Sequence, residues 1–417
     1  METRSYSTGS GLPLLLIIGP GVHRFREYLF QSISTRYDIH VMNSVEPTWE
    51  VPYLSGATVV PDMSAATLVA AAQHVAARQS ISGVLTFDEA RVLPTAHVAA
   101  ALGLPGGNPE AAEHCRDKYL TRSALEKAGL SQPGFGLVGD LPEALAAADR
   151  IGYPVVIKPR GAAASYGVVR VDGAQELASK FTFSRDATVP DAPHYEQAVL
   201  VEEYLQGPEV SIDSCVQHGK VTPMYVARKE VGFAPYFEET GHTVDACDPL
   251  LADGEVRKTL QEMHEAIGFV DGWTHTEFKL TADGPKIIEV NGRLGGDLIP
   301  YLGQLASGND PGVAAAAAAC GTPPATAAER SLVAGVCFLY AERDGATIEA
   351  ISFDETGFHP AVHSAVVLAR PGDVVSLPPK GIVSGRVAFA IAVADTLGEC
   401  RAALRSTQSS LSVRLAD

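Results

Sequence analysis

Positive charge is scarce in this sequence: 32 Lys and Arg stand against 49 Asp and Glu, a formal net charge of -17 with His neutral. That balance is opposite to the basic footprint of a nucleic-acid-binding protein, and it disfavours anionic membrane surfaces, so an anionic ligand must be held at a local site. Cysteine motifs are lacking too. Cys115, Cys215, Cys247, Cys320, Cys337 and Cys400 lie far apart, with neither C-x-x-C nor zinc-ligand spacing, and read as reduced thiols in a cytoplasmic protein. No apolar run is long enough to cross a bilayer. "LPLLLII" (Leu12 to Ile18) has a hardly basic leader and ends in Gly19-Pro20-Gly21 rather than a small-residue cleavage site. It reads as a buried parallel strand entering a tight turn. No repeat suggests a solenoid.

What is present is ample apolar material: 417 residues, 46% hydrophobic and 19% charged, predict two to four lobes able to bury their own cores. From Leu12 to about Gly107, apolar runs ("LLLIIG", "YDIHVMN") alternate with helical patterns ("HRFREYLFQSIS", "ATLVAAAQHVAARQS"), which predicts a parallel α/β sheet. "NPEAAEHCRDKYLTRSALEKAGL" (Asn108 to Leu130) starts on a capping Asn and a Pro, stops at Gly129, and predicts one or two helices. Strands and loops follow, then an amphipathic helix, then the hairpin "GWTHTEFKLTADGPKIIEVNGRL", whose turn is Asp283-Gly284. An Ala-rich helix, "GVAAAAAACG", precedes a Pro/Thr linker; read as surface-like, such helices permit a homodimer. Leu332 to Asp417 shows short alternating strands and a final helix. The fold class is α/β and α+β multidomain, in three parts: 1–115, 116–325 and 326–417.

The hairpin carries the chemistry. In "KIIEVNGRLGGD" (Lys286 to Asp297), Glu289, Asn291 and Arg293 sit at alternate positions, so they share one face of the strand. Glu277, on the partner strand "WTHTEFKL", can converge with Glu289 and Asn291 across the hairpin. Two carboxylates and an amide oxygen on rigid strands suit Mg²⁺, which completes its shell with water and phosphate oxygens. Upstream, "VVIKPRGAAASYGV" places Lys158 at a strand end, with small residues from Gly161 to Gly167 whose N–H groups can approach phosphate and Ser165 adding a hydroxyl. "LVEEYLQGPEVSID" sets Glu202 and Glu203 at the end of an apolar run and Glu209 after a Gly-Pro turn, where backbone groups suit an adenine and a carboxylate suits ribose hydroxyls. Gly19-Pro20-Gly21 reads as a phosphate cradle or as a plain tight turn, since the G-x-G-x-x-G pattern is incomplete. That incompleteness, with no acidic residue at the expected place after the turn, sets aside a Rossmann dehydrogenase.

Taken in order, "RDKYLTRSALEKAGL", "YPVVIKPRGAAASYGV", "VEEYLQGPEVSID", "HTEFKL" and "IIEVNGRLGGD" resemble the ATP-grasp superfamily over about Cys115 to Pro300. The tail, with "VAGVCFLYAERDGATIEAI", "ARPGDVV" and "GRVAFAIAVA", is similar to the C-terminal subdomain of dipeptide-forming L-amino acid ligases. The resemblance implies an ATP-grasp fold: an N-terminal parallel α/β pre-ATP-grasp domain (1–115), the ATP-grasp domain (116–325, with a nucleotide lobe at about 116–205 and a metal and substrate lobe at about 206–325), and a small C-terminal α+β subdomain (326–417). It implies a ligase in which ATP phosphorylates a carboxylate and an amine attacks the acyl phosphate. Its substrates are then amino acids, its nucleotide ATP, and its cation Mg²⁺ or Mn²⁺.

Residue by residue, the resemblance matches Lys118 and Lys158 to the two phosphate-contacting lysines and the loop around Ser165 to the flap over the phosphates. It matches Glu202, Glu203, Tyr204 and Leu205 to the adenine hinge and Glu209 to the ribose partner. Glu277 and Glu289 match the metal ligands, with Asn291 as a third, and Arg293 the arginine that steadies the acyl phosphate. His242, in "ETGHTVDA", matches a Gly-His pair near the amino-acid site or is a histidine satisfied in a loop; His275 shares the face of Glu277 and hydrogen-bonds a ligand carboxylate. Gly295, Gly296 and Asp297 line a substrate pocket, Asp297 either pairing with a substrate ammonium or capping the next helix. The rival readings are an ATP-grasp ligase for a non-amino-acid carboxylate or a carrier-bound amine, and a nucleotide-binding module without catalysis.

Overall fold

The computed structural model describes residues 2–6, 11–187 and 199–416. Its first layer comes from β1 (Glu2–Ser5), β2 (Leu14–Ile18), β3 (Asp38–Asn43), β4 (Leu54–Val59) and β5 (Ile81–Leu85), in the order β1-β4-β3-β2-β5. The last four are parallel and β1 adds antiparallel on the edge of β4. Every residue of β2 is buried, as its unbroken "LLLII" demands. Asn108 caps the helix Pro109–Arg116 by accepting from the Ala111 N–H, and Asp117 ends that helix while capping Lys118–Lys127, so the Asn108–Leu130 stretch is two helices.

The chain then forms β6 (Phe135–Val138), β7 (Val155–Pro159), β8 (Val169–Val171) and β9 (Val199–Glu203), an antiparallel sheet in the order β6-β9-β7-β8. Next come β10 (Glu209–Gln217), β11 (Lys220–Gly232), β12 (Glu238–Asp245), β13 (Gly272–Thr281), β14 (Gly284–Asn291), β15 (Val333–Tyr340), β16 (Ile348–Phe353), β17 (Val362–Val367), β18 (Arg386–Ala394) and β19 (Leu411–Leu415). Eight of these make one sheet, β14-β13-β10-β11-β12-β15-β18-β17, while β16 and β19 pair separately. Because β12 pairs with β15 from Gly241↔Cys337 to Asp245↔Val333, the strands after residue 332 extend the same sheet that carries the hairpin. The six cysteines are free thiols, and among the described residues no helix is long and apolar enough to cross a membrane.

The Ala-rich helix, Pro311–Ala319, corrects its sequence reading. Ala314 to Ala319 are all buried, and the helix packs against the helix His23–Ile33, β5, β10 and β13. Small side chains here serve close approach between two layers, not solvation. Gly83 on β5 shows how close: a Cβ there would meet the Ala319 carbonyl oxygen at 2.7 Å. The helix therefore offers no surface for a second copy.

A buried ion network ties the lobes together. Arg122, 1% exposed, donates through Nε to Glu202 at the end of β9 (2.8 Å) and through Nη1 to the Ile287 carbonyl of β14 (2.9 Å). Burial alone would raise the Glu202 carboxyl, but Arg122 and Lys158 outweigh it and hold it down at about 2. A carboxyl lowered from an ordinary 4.5 contributes stability that is complete above that value and lost as pH falls from it toward about 2. Removing Arg122 should leave Glu202 with Lys158 alone and the buried Ile287 carbonyl without this donor: Arg122→Met is expected to lose about 3–5 kcal/mol of unfolding free energy in denaturant titrations near neutral pH, with the deficit relative to the parent shrinking as pH drops below 4.5.

Candidate active site

The β13–β14 register sets Glu277 directly opposite Glu289 and His275 opposite Asn291. A register shift between Glu277 and Phe278 accompanies the turn of Phe278 and Ile287 into the core, while both glutamates line a cleft of about 750 Å³. Each carboxylate meets a lysine: Glu289 lies 2.9 Å from Lys118 Nζ and Glu277 2.7 Å from Lys229 Nζ. Lys229, on β11, has no exposed side-chain surface and also reaches Glu209 (3.3 Å) and Glu239 (2.8 Å). Burial favours a neutral amine, but three glutamates outweigh it and keep Lys229 charged. The sequence reading missed Lys229, because only the β10–β11 and β10–β13 registers reveal that it shares a face with Glu277.

The same cleft gathers the residues expected at a nucleotide: Lys118 and Lys158, Ser165, the segment Glu202–Leu205, and Glu209. Their side chains are not equally free. Glu202 is spent on Arg122 and on Lys158, 2.7 Å away, so at this position only backbone groups and the oriented lysine remain for a ligand. Glu203 is half exposed near Lys286 (3.4 Å), as a surface strand residue is, and Tyr204 lies under the Arg170 guanidinium. Glu209 is held by Lys229 and Lys279. Lys118 donates to the Ala162 carbonyl at the root of the Gly/Ala/Ser loop. In that loop Ala164 (φ 54°) and Ser165 (φ 58°) adopt the left-handed region that side chains resist, strain of the kind that gathers at ligand sites.

Arg293 and Asn291 face a partner from the first domain that the sequence reading missed. Glu89 is ion-paired with Arg293, whose Nε lies 2.5 Å away without a well-aligned hydrogen bond, and accepts from Arg116, and the Asn291 amide, oriented to satisfy both its ends, donates to both Glu89 oxygens (3.3 and 3.2 Å). Burial would raise Glu89, but the two arginines outweigh it and hold it ionised. The signal was available. Asp88-Glu89 follow the carboxyl end of the parallel strand β5, and ligand-facing groups collect beyond such ends. The Gly19–Gly21 turn, at the carboxyl end of β2, lines the same wider cleft of about 1750 Å³, together with Arg293 and Asp297.

The far end of that cleft is a web of matched charges. Asp297 is bound by both terminal Arg386 nitrogens, Nη1 and Nη2 (2.7 and 2.8 Å). It does not cap the following helix Ile299–Ser307, whose N-cap is Leu298 with no side-chain hydrogen bond. His242 is buried between Glu239 (3.2 Å) and Asp297 (3.5 Å), with neither ring nitrogen in a well-aligned hydrogen bond. Burial disfavours its charged form, yet Asp297 and Glu239 outweigh burial and raise it. The ligand atoms of Glu239, His242 and Asp297 lie within 4.8 Å of one another, with Glu239 paired to Lys229 and Asp297 to Arg386. His275 is fixed by Asp213 (2.7 Å), and Asp213 with Glu277 holds it up at about 9 against burial. Asp213 also accepts from the Gly295 N–H (2.9 Å), and a Cβ on Gly295 would meet His275 Nδ1 at 2.8 Å, whereas one on Gly296 would meet nothing within 4 Å. The first glycine is required by packing; the second leaves open space.

Residues 151–301 match the ATP-grasp domain family. An uncharacterised protein, y4rH of Sinorhizobium fredii, is 29% identical over 76% of this chain and 64% of its own length. The alanine–anticapsin ligase of Bacillus subtilis is 30% identical over 53% of this chain and 50% of its own. The chain thus spans less than two thirds of either curated relative. The crystal structure of an L-amino acid ligase from Bacillus licheniformis superposes with a TM-score of 0.79 at 24% identity, covering 97% of this chain and 99% of that one. Residues 151–301 are thus similar to the ATP-grasp domain, and the chain shares the fold of an L-amino acid ligase over nearly its whole length.

Proposed function

We propose that this protein is an ATP-dependent carboxylate–amine ligase that joins two amino acids through an acyl phosphate, releasing ADP and phosphate. The observation that carries the reading is the junction of two clefts at one pair of acids. Glu277 and Glu289 line both the cleft that holds Lys118 and Lys158 and the wider one that holds Arg293 and Asp297. A phosphate donor in the first would thus meet a carboxylate in the second. A non-catalytic nucleotide module has no use for the arginine or for the second cleft.

In this reading Lys118 and Lys158 take the ATP phosphates, and the loop around Ser165 covers them and excludes water from the acyl phosphate. The segment Glu202–Leu205 receives adenine on its backbone, and Glu209 receives the ribose. Glu277 and Glu289, with Asn291, are hard oxygen donors on rigid neighbouring strands and fit Mg²⁺ or Mn²⁺. Such a cation, when bound, offsets charge on the transferring phosphoryl group. Arg293, oriented by Glu89, directs its guanidinium to the oxygens of the acyl phosphate and of the tetrahedral species that the amine creates. Asp297 keeps acceptor capacity beyond its bond to Arg386 and, with Glu239 and His242 beside it, forms the place for a substrate ammonium. Gly296 leaves room for the atoms attached to it.

Three outcomes follow. Glu289→Gln and Glu277→Gln should each raise the Mg²⁺ concentration for half-maximal ADP release by roughly tenfold or more, read in a metal titration with pooled amino acids. Arg293→Ala should lower kcat by about 10²- to 10³-fold with little change in KM for ATP, and Arg293→Lys should not restore it, because a lysine lacks the planar fork. Asp297→Asn should raise KM for one amino-acid substrate and leave that for ATP unchanged; equal KM values for every amino acid would remove Asp297 from the ammonium site.

A further inference from the structure

The strand β18 and the segment before it reach the site from the C-terminal end of the chain, and nothing in the proposed chemistry uses them. Leu377 to Gly385 is a tightly folded loop. Gly381 donates to the Leu377 carbonyl (3.1 Å) and Gly385 to the Gly381 carbonyl (2.7 Å), and a Cβ on Gly381 or Gly385 would lie only 1.8 or 2.1 Å from the Ser376 carbonyl oxygen. At its tip Val383 holds φ at 60°, an outlier for a β-branched residue. What holds it there is Glu238, whose two oxygens accept from the Val383 N–H at 3.2 and 3.1 Å.

This tip touches both halves of the site. On one side Tyr166, in the phosphate-covering loop and lining the nucleotide cleft, donates its hydroxyl to the Ile382 carbonyl at 2.9 Å. On the other, Glu238 accepts from Arg386 Nε at 3.1 Å, and the same arginine grips Asp297 with its other two nitrogens. An unbroken series of hydrogen bonds therefore runs from the phosphate loop through Tyr166, Ile382, Val383, Glu238 and Arg386 to Asp297. The loop is internally rigid, so displacement at one end is passed to the other instead of being absorbed.

We infer that Tyr166 and Arg386 are positioning residues and that the Leu377–Gly385 loop links closure of the phosphate loop to the set of Asp297 in the substrate pocket. The inference rests on the ligase reading for the identity of the two ligands. When nucleotide draws the phosphate loop shut, Tyr166 carries Ile382 and Val383 with it; Glu238 and Arg386 follow, and Asp297 takes its place for the substrate. An amino acid is then bound in its reactive position only when the phosphate donor is present, which limits wasteful hydrolysis of an acyl phosphate.

Hydrogen–deuterium exchange on the full chain, with and without Mg²⁺ and adenylyl imidodiphosphate, tests it. In the parent, the nucleotide analogue should slow exchange in Leu377–Gly385, which it does not touch, as well as in Ala162–Val168. In Tyr166→Phe, protection of Ala162–Val168 should persist, while that of Leu377–Gly385 falls by roughly fivefold, the worth of one hydrogen bond. A merely structural tyrosine would loosen both segments with or without nucleotide. Exchange of Leu377–Gly385 that ignores nucleotide in the parent, or slows equally in the variant, overturns the inference and leaves the ligase reading standing. Absence of protection at both segments in the parent removes the nucleotide site, and the inference with it.

Discussion

Acidic side chains enter the interior of this protein in number, and those around the candidate site each enter with a cation to meet them. Glu202 has Arg122 and Lys158, Glu277 has Lys229, Glu289 has Lys118, Glu89 has Arg293 and Arg116, and Asp297 has Arg386. Burying a carboxylate alone is costly, and removing one member of a buried pair is costlier than never having had it. This matching fixes where the charged site residues point. In the proposed reading it also accounts for how a chain of net charge -17 would hold polyanionic phosphates: Lys118 and Lys158 are present locally, oriented by Glu289 and Glu202.

The arrangement draws on all three regions of the sequence. The first domain sends Glu89 from the end of β5, the central region supplies the lysines and the β13–β14 acids, and the extended sheet delivers Arg386 on β18. Continuity of the eight-stranded sheet makes the last contribution rigid, since β18 is joined to β12 through β15 by regular pairing. The buried Ala-rich helix does the same for the first, by locking β5 against the large sheet.

Much of this was legible beforehand, for definable reasons. Glu277, Glu289 and Arg293 stood out because strand periodicity makes charges inside apolar strands conspicuous, but the turn lies at Ala282-Asp283, one residue before the expected Asp283-Gly284, and a register shift beyond it brings Glu277 opposite Glu289. Local signals carried the capping Asn108 and the buried β2. What stayed hidden depends on long-range register or on partners from other layers. Lys229 looks like any strand lysine until β11 is laid beside β10; Glu89 and Arg386 lie about 200 and 90 residues away from the hairpin in sequence. The Ala-rich helix was misread because Ala fits a solvent face and a close-packed interior alike, and only its neighbours decide. Of the two readings open for Asp297, the helix cap fails because the carboxylate is taken by Arg386, 89 residues on.

The central claim is that Glu277 and Glu289 hold the cation that joins a nucleotide to a substrate acid. A crystal structure of the full chain with Mg²⁺ and a non-hydrolysable ATP analogue tests this most directly. The account predicts the metal between those two carboxylates, with the analogue's phosphates on Lys118 and Lys158 under the Ser165 loop. A metal seated instead on Glu239, His242 and Asp297, or an analogue bound away from the two lysines, would contradict it.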